Sequence, residues 1–195
     1  MKTIIGLLPL ILGVPSYAHY LYSVYKRKTV PHMYSWLIWA VLAGIGYTAQ
    51  RSTHAGPGAW NTGFTAIVCF TVFLVSIRYG ERRLSRLDLW LLGLAVIAII
   101  MRLLSGNYVA TTLLATIAAS VGFVLTIKKA YRRPDQENLA TFSINALRSL
   151  ISLFALGAVT FTTFFYPFCM MLANAAVAAT ILIRKRPGSE KPQEP

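Results

Sequence analysis

Residues 87–104 read LDLWLLGLAVIAIIMRLL, eighteen positions in which only Asp88 and Arg102, near the two ends, are charged. A run of that length and composition is near the roughly 20 residues that a helix needs to cross a hydrocarbon core about 30 Å thick. Hydrocarbon offers no partner for a free N–H or C=O, so a spanning segment of this kind is helical. Six further runs resemble it: Ile4 to Tyr25, Met33 to Gln50, Trp60 to Ile77, Tyr108 to Ile127, Leu139 to Phe165 and Tyr166 to Ile183. The boundary between the last two is set at Tyr166 and Pro167, since a proline opens a helix without needing its own N–H. The expected fold class is therefore an all-α integral membrane protein with seven transmembrane helices.

Composition agrees with that reading. The chain of 195 residues is 56% hydrophobic and 13% charged, with a mean hydropathy of +0.58. Soluble domains usually carry nearer a quarter charged residues. A net charge of +13 suggests nucleic acid in a soluble protein, so the placement of the 19 basic residues decides its meaning. Lys26, Arg27 and Lys28 follow the first span; Arg78, Arg82, Arg83 and Arg86 the third; Lys128, Lys129, Arg132 and Arg133 the fifth; Arg184, Lys185, Arg186 and Lys191 the seventh. All fifteen fall on one side, against Lys2, Arg51 and Arg102 on the other, with Arg148 inside a span. The positive-inside rule places the rich side in the cytoplasm, giving N-out/C-in. Nucleic acid is not an expected partner, because the clusters are short and lack a folded basic surface.

The first eighteen residues, with Lys2, an apolar stretch and Ser16-Tyr17-Ala18, also have the form of a secretory signal. Cleavage requires the N-terminus inside and would put Lys26 to Lys28 outside, against the charge pattern, so the segment is kept as a helix. Cys69 and Cys169 lie in apolar spans with no CxxC pair or His cluster, and are read as buried thiols. No metal or cofactor is expected. Residues 186–195, rich in Pro, Lys and Glu, read as a disordered cytoplasmic tail.

Sliding the chain on itself by 106 residues superposes the first three spans on the last three without a gap. Leu7 meets Leu113, Ile11 meets Ile117, Ala40 meets Ala146 and Ile45 meets Ile151. The basic ends fall in the same register: Tyr25-Lys26-Arg27 on Tyr131-Arg132-Arg133, and Ile77-Arg78 on Ile183-Arg184. A shift across four helices returns the chain to the same side. The expectation is two parallel three-helix repeats, residues 1–80 and 108–185, joined by a linker helix in 81–107 (a 3+1+3 plan).

This plan, with GVPSYAHYLYSVYKRK at 13–28 and SVGFVLTIKKAYRRP at 120–134, resembles the SWEET (MtN3) and PQ-loop superfamily of membrane transporters. Pro15 stands where the family's proline would, with Ser16 in place of its glutamine. The resemblance implies a hinge at Pro15 and a solute site between two halves that rock about it. Asn174, in MLANAAVAA, resembles the second of the family's sugar-facing asparagines; its repeat partner is Val68.

In the sixth span Thr141, Asn145, Arg148, Ser149 and Ser152 recur at helical spacing and form one polar stripe. Lipid leaves such a stripe unsatisfied, so it is expected to face protein or a wet cavity. Arg148 lies about 10 Å beyond Thr141 at 1.5 Å per residue. It either lines the cavity as a donor to solute oxygens, snorkels to the cytoplasmic surface, or pairs with a carbonyl. Trp39, the repeat partner of Asn145, is either an aromatic wall for a sugar ring or a belt residue. His19 lies on a stripe with Pro15 and Tyr22 and is either packed or functional, and Asn174 is either a ligand or helix glue. The candidate solute-binding residues are thus Asn145, Arg148, Asn174, Trp39, His19, Ser149 and Ser152, with Pro15 as hinge.

None of the six acidic residues lies within a span interior, Asp88 standing at the very start of its span, so the intramembrane carboxylate usual in proton-coupled transport is missing and downhill uniport is expected. No catalytic constellation is legible, and an enzyme is not expected. The function read from the sequence is facilitative transport of a small polar solute, a sugar first, across a plasma membrane. A non-transporting receptor, assembly factor or subunit on the same fold is the alternative. The expected partners are that solute and the lipid bilayer, and homo-oligomers are compatible with the sequence.

Overall fold

A computed structural model describes residues 1–185, and the tail segment 186–195 lies outside the described residues. The described residues form seven α-helices: α1 (Lys2–Tyr25), α2 (Met33–Ser52), α3 (Trp60–Tyr79), α4 (Arg86–Leu104), α5 (Tyr108–Arg132), α6 (Leu139–Phe154) and α7 (Phe161–Arg184). Most starts carry a side-chain cap that satisfies an otherwise orphan N–H. Asn107 caps α5 and Asn138 caps α6, while Ser85 with Asp88 and Thr160 with Thr163 form capping boxes on α4 and α7.

Five helices, α1, α3 with its preceding 3-10 turn, α4, α5 and α7, are long and apolar enough to cross a membrane. Their outward faces are apolar: Ile4, Leu7 and Ile11 on α1, Ile67 and Phe70 on α3, Trp90 and Leu103 on α4, and Ile117 and Val124 on α5 are all exposed. The interior is comparatively polar, burying Asn61, Thr62, Thr111, Thr116, Arg148 and Asn174. Apolar outside and polar inside is the distribution that lipid selects. The chain is a multi-pass helical membrane protein.

α6, at 16 residues, is a shorter apolar helix, and α2 has the length but is not among the five. Both line the interior cavity described below, where polar side chains carry no lipid penalty.

The boundary between the last two helices differs from the expectation at Tyr166 and Pro167. α6 ends at Phe154, and α7 begins at Phe161 and runs through Pro167. Two local causes account for this. The Thr160 and Thr163 box starts α7 a full turn and a half before the proline, whose missing N–H then costs only one bond inside an established helix. The intervening residues 155–160 are held elsewhere: Gly157 N–H donates to Ala55 C=O at 2.8 Å and Ala158 N–H to His54 C=O at 3.0 Å.

Packing follows a reciprocal scheme. α3 packs on α1 and α2, and α7 packs on α5 and α6. Between these groups α1 pairs with α6 and α2 with α5, while α4 leans on α5 and α2. The main apolar cluster joins Ile38, Leu42 and Ile45 of α2 with Leu91, Ala95 and Ala98 of α4 and Ala115, Ala118 and Ala119 of α5. At the α2–α5 and α4–α5 contacts alanines let the backbones approach closely, a common device where lipid removes the hydrophobic drive.

Candidate functional site

A cavity of about 340 Å³ runs between the two groups of helices. Its mouth lies at the loop end that bears the basic clusters, among Thr29 to His32, Glu81, Arg83 and Glu137. Its walls are Trp36 and Trp39 of α2, Phe123 of α5, and Tyr166 and Met170 of α7. The deep end holds Asn61, Thr62, Asn145, Arg148 and Ser149.

Beyond Arg148 the passage is shut by contact between the α2–α3 and α6–α7 connections. Leu156 packs with Ala55 and Ala59, reinforced by the two main-chain hydrogen bonds at Gly157 and Ala158. Glycines make this approach feasible: a Cβ on Gly58 would stand 2.6 Å from Leu156 Cδ2, and one on Gly157 would stand 2.8 Å from the His54 carbonyl oxygen. Lys2 Nζ adds a bond to the Gly157 carbonyl at 3.2 Å.

Arg148 is the largest side chain among those almost fully buried, at 1% exposure. Its Nε–H donates to the Pro9 carbonyl at 2.6 Å, and Nη1–H to Asn145 Oδ1 at 2.9 Å. Its Cζ stands 4.8 Å from the Phe64 ring centroid and 5.4 Å from that of Tyr17. Nη2 is buried without a hydrogen-bond partner, and among the described residues no carboxylate pairs with the guanidinium. Gly13 makes room for it, since a Cβ there would lie 2.8 Å from Arg148 Cζ and 2.6 Å from Phe64 Cε1.

Of the alternatives for Arg148, the head group does not reach out to the cytoplasmic surface: it is buried and turned to α1. The head group lines the cavity and is anchored to a carbonyl of α1. Trp39 also faces the cavity, stacked on Phe123 at 5.1 Å and edge-on to Trp36 at 5.4 Å. The Trp39 indole N–H has no partner. Asn174 lines the cavity while donating Nδ2–H to the Met170 carbonyl one turn back at 2.7 Å.

The structure brings Asn145, Arg148, Ser149, Asn174 and Trp39 together around one space. Ser152 lies off it, 1% exposed and bonded to the Ser149 carbonyl at 2.7 Å. His19 is separated from the rest: it is exposed on α1 and does not line the cavity. Pro15 is also exposed, within a helix that continues through it from Lys2 to Tyr25. Tyr17, Asn61 and Phe64 join the site without having been expected there. Tyr17 precedes Asn145 by 128 residues and Phe64 sits in an apolar run, so no local spacing marks them.

At the positions that the 106-residue shift pairs, leucine stands against arginine. Leu42, fully buried, lies in the apolar cluster with α4 and α5, whereas Arg148, equally buried, opens on the cavity. Trp39 contacts Phe123, and Asn145, 106 residues after Trp39, holds the arginine that stands over Tyr17, 106 residues before Phe123.

These features define the class: a multi-pass helical membrane protein enclosing an aromatic-walled cavity with polar side chains and a buried arginine at its closed end. Compared with known protein families, curated proteins and solved structures, the chain shows no match.

Proposed function

We propose that the protein is a facilitative transporter of a small polar solute. It works by alternating access between two three-helix repeats, residues 1–80 and 108–185, with α4 as linker on a SWEET-like plan. The observation that carries this reading is a cavity open at one end and closed at the other by contact between the two halves. The reciprocal packing supports the repeats. A two-fold operation that exchanges α1 with α5, α2 with α6 and α3 with α7 turns the α1–α6 pair into α5–α2, and the α2–α7 pair into α6–α3. All four pairs are present. With the basic loops in the cytoplasm of a cell membrane, the cavity faces inward and the closed end faces outside.

In this mechanism the solute reaches Arg148 and Asn145 from the cytoplasm. The halves then rock so that the contact at Ala55 and Gly157 opens while the mouth closes. The solute is not chemically altered. The carboxylates among the described residues lie at the mouth or in loops, so the solute moves down its gradient as a uniporter.

The seal provides the test. Cysteines are placed at His54 and Ala158, whose main chains are hydrogen-bonded at 3.0 Å, in a protein whose native Cys69 and Cys169 are replaced by alanine. Purified protein in liposomes is treated with a short bis-methanethiosulfonate, which joins the two thiols through disulfides, and uptake of labelled glucose, alanine and mandelate is followed. Cross-linking should stop uptake, and a reductant should restore it. Unchanged uptake in the cross-linked protein would overturn alternating access at this seal.

A further inference from the structure

The charge balance at the closed end of the cavity carries more than a polar solute. A guanidinium has five N–H groups. Two of Arg148's are used, on the Pro9 carbonyl and on Asn145 Oδ1, which leaves three, and Nη2 has no partner at all. Both acceptors are neutral. The aromatic rings of Phe64 and Tyr17 supply a further, weaker attraction to the cation. Taking an ion out of water costs several kcal/mol, so neutral partners alone leave the positive charge under-compensated.

At the mouth the balance differs. Lys129 and Glu137 are paired at 2.8 Å, and Asp88 has Ser85 as a hydrogen-bond partner with His32 at 3.8 Å. Glu81 and Arg83 at the mouth are exposed, so the buried cation without an ionic partner is at the deep end.

Building on the transport reading, we infer that the solute is an organic monoanion whose carboxylate docks on Arg148. One arginine balances one negative charge. The planar edge of a guanidinium matches the two oxygens of a carboxylate, which adds geometric selectivity that a point charge lacks. The walls at Trp39, Phe123 and Tyr166 are aromatic and suit a compact apolar body behind that head group, and the cavity is large enough for a small organic acid. A neutral sugar would satisfy donors and acceptors but leave the charge as it is. The inference thus replaces a sugar with a monocarboxylate as the first solute class.

Isothermal titration of the purified full chain in chloride-free buffer tests this with mandelate and its neutral isostere mandelamide. Mandelate should bind at least tenfold tighter than mandelamide, and sodium chloride at ten times the mandelate concentration should not displace it. Arg148→Leu should bring mandelate down to the mandelamide level, and Arg148→Lys should recover only part of the difference. The comparison of the two ligands on the unaltered protein needs no variant to fold. Equal binding of both, no binding of either, or displacement by chloride at that ratio overturns the inference. Flux distinguishes the two proposals. Mandelate that binds as expected but does not cross a proteoliposome membrane defeats transport and leaves the anion site standing. Glucose that crosses while mandelate and mandelamide bind alike does the reverse.

Discussion

Replacing Gly13 by alanine tests the cradle that holds Arg148. The added methyl would stand 2.6 Å from Phe64 Cε1, 2.8 Å from Arg148 Cζ and 2.9 Å from Arg148 Nε, where carbon atoms prefer about 3.5–4.0 Å. Either the packing yields, at about 1–3 kcal/mol for an extra methylene in a filled interior, or the guanidinium withdraws. Withdrawal breaks the 2.6 Å bond to the Pro9 carbonyl, and a hydrogen bond to a charged group is worth about 1.5–3 kcal/mol. The chain takes the cheaper route, and alanine returns up to about 1 kcal/mol of helix propensity. The net cost should be of order 1 kcal/mol. Gly44→Ala is the matched control: it lies mid-helix in α2 with nothing within 4 Å of a new Cβ, so it should be neutral or slightly stabilising. Reversible unfolding of both variants in bicelles, with mandelate titration of each folded protein, measures the difference. Gly13→Ala should be less stable and should bind mandelate several-fold more weakly, and Phe64→Leu in the same chain should restore stability if the ring is the obstacle. Indistinguishable behaviour of Gly13→Ala and Gly44→Ala would refute the cradle.

The other expectations are simpler. Gly58→Val places a branched side chain against Leu156 at the seal and should weaken closure, measured as faster labelling of a cysteine at Asn61 by a membrane-impermeant thiol reagent added outside; unchanged labelling counts against it. Ser85→Ala removes the capping box of α4 and should cost about 1 kcal/mol of stability in the same unfolding assay. A cysteine at Ser105, exposed after α4, should label from outside intact cells, whereas one at Gln136, exposed before α6, should label only after permeabilisation; the opposite pattern would invert the orientation.

Much of the fold was legible because lipid imposes a coarse grammar. Runs such as 87–104 have no other stable state in hydrocarbon, and each of the seven observed helices overlaps an expected span, although the span expected over 139–165 holds α6 together with the start of α7. The α6–α7 boundary was not legible. Thr160 and Thr163 act as a cap only because residues 155–158 are engaged by a segment one hundred residues earlier, and a local reading gave the break to Pro167 instead. At the site, the stripe on α6 identified Thr141, Asn145, Arg148 and Ser149 because helical periodicity is local, and all four line the cavity. Ser152 shares the stripe but lies one turn deeper, beyond the end of the open space. His19 shows the limit of spacing. Its stripe with Pro15 and Tyr22 is real, and all three are exposed, because nothing in that pattern says which face of α1 meets the other helices. Gly13 was silent in the sequence for the same reason: its meaning depends on Phe64 and Arg148, both brought to it by the tertiary fold.

Solute flux decides the transport reading most directly. Protein reconstituted into liposomes is given labelled mandelate, alanine and glucose on one side, with and without an imposed pH gradient, and uptake is normalised to folded protein. At least one solute, mandelate first, should equilibrate far faster than in protein-free liposomes and stop at equal concentrations, with the pH gradient changing neither the rate greatly nor the end point. Arg148→Leu should lower that flux about ten- to a hundredfold at limiting solute. No flux of any of the three through folded protein, or sustained accumulation driven by the pH gradient, would contradict facilitative transport through this cavity.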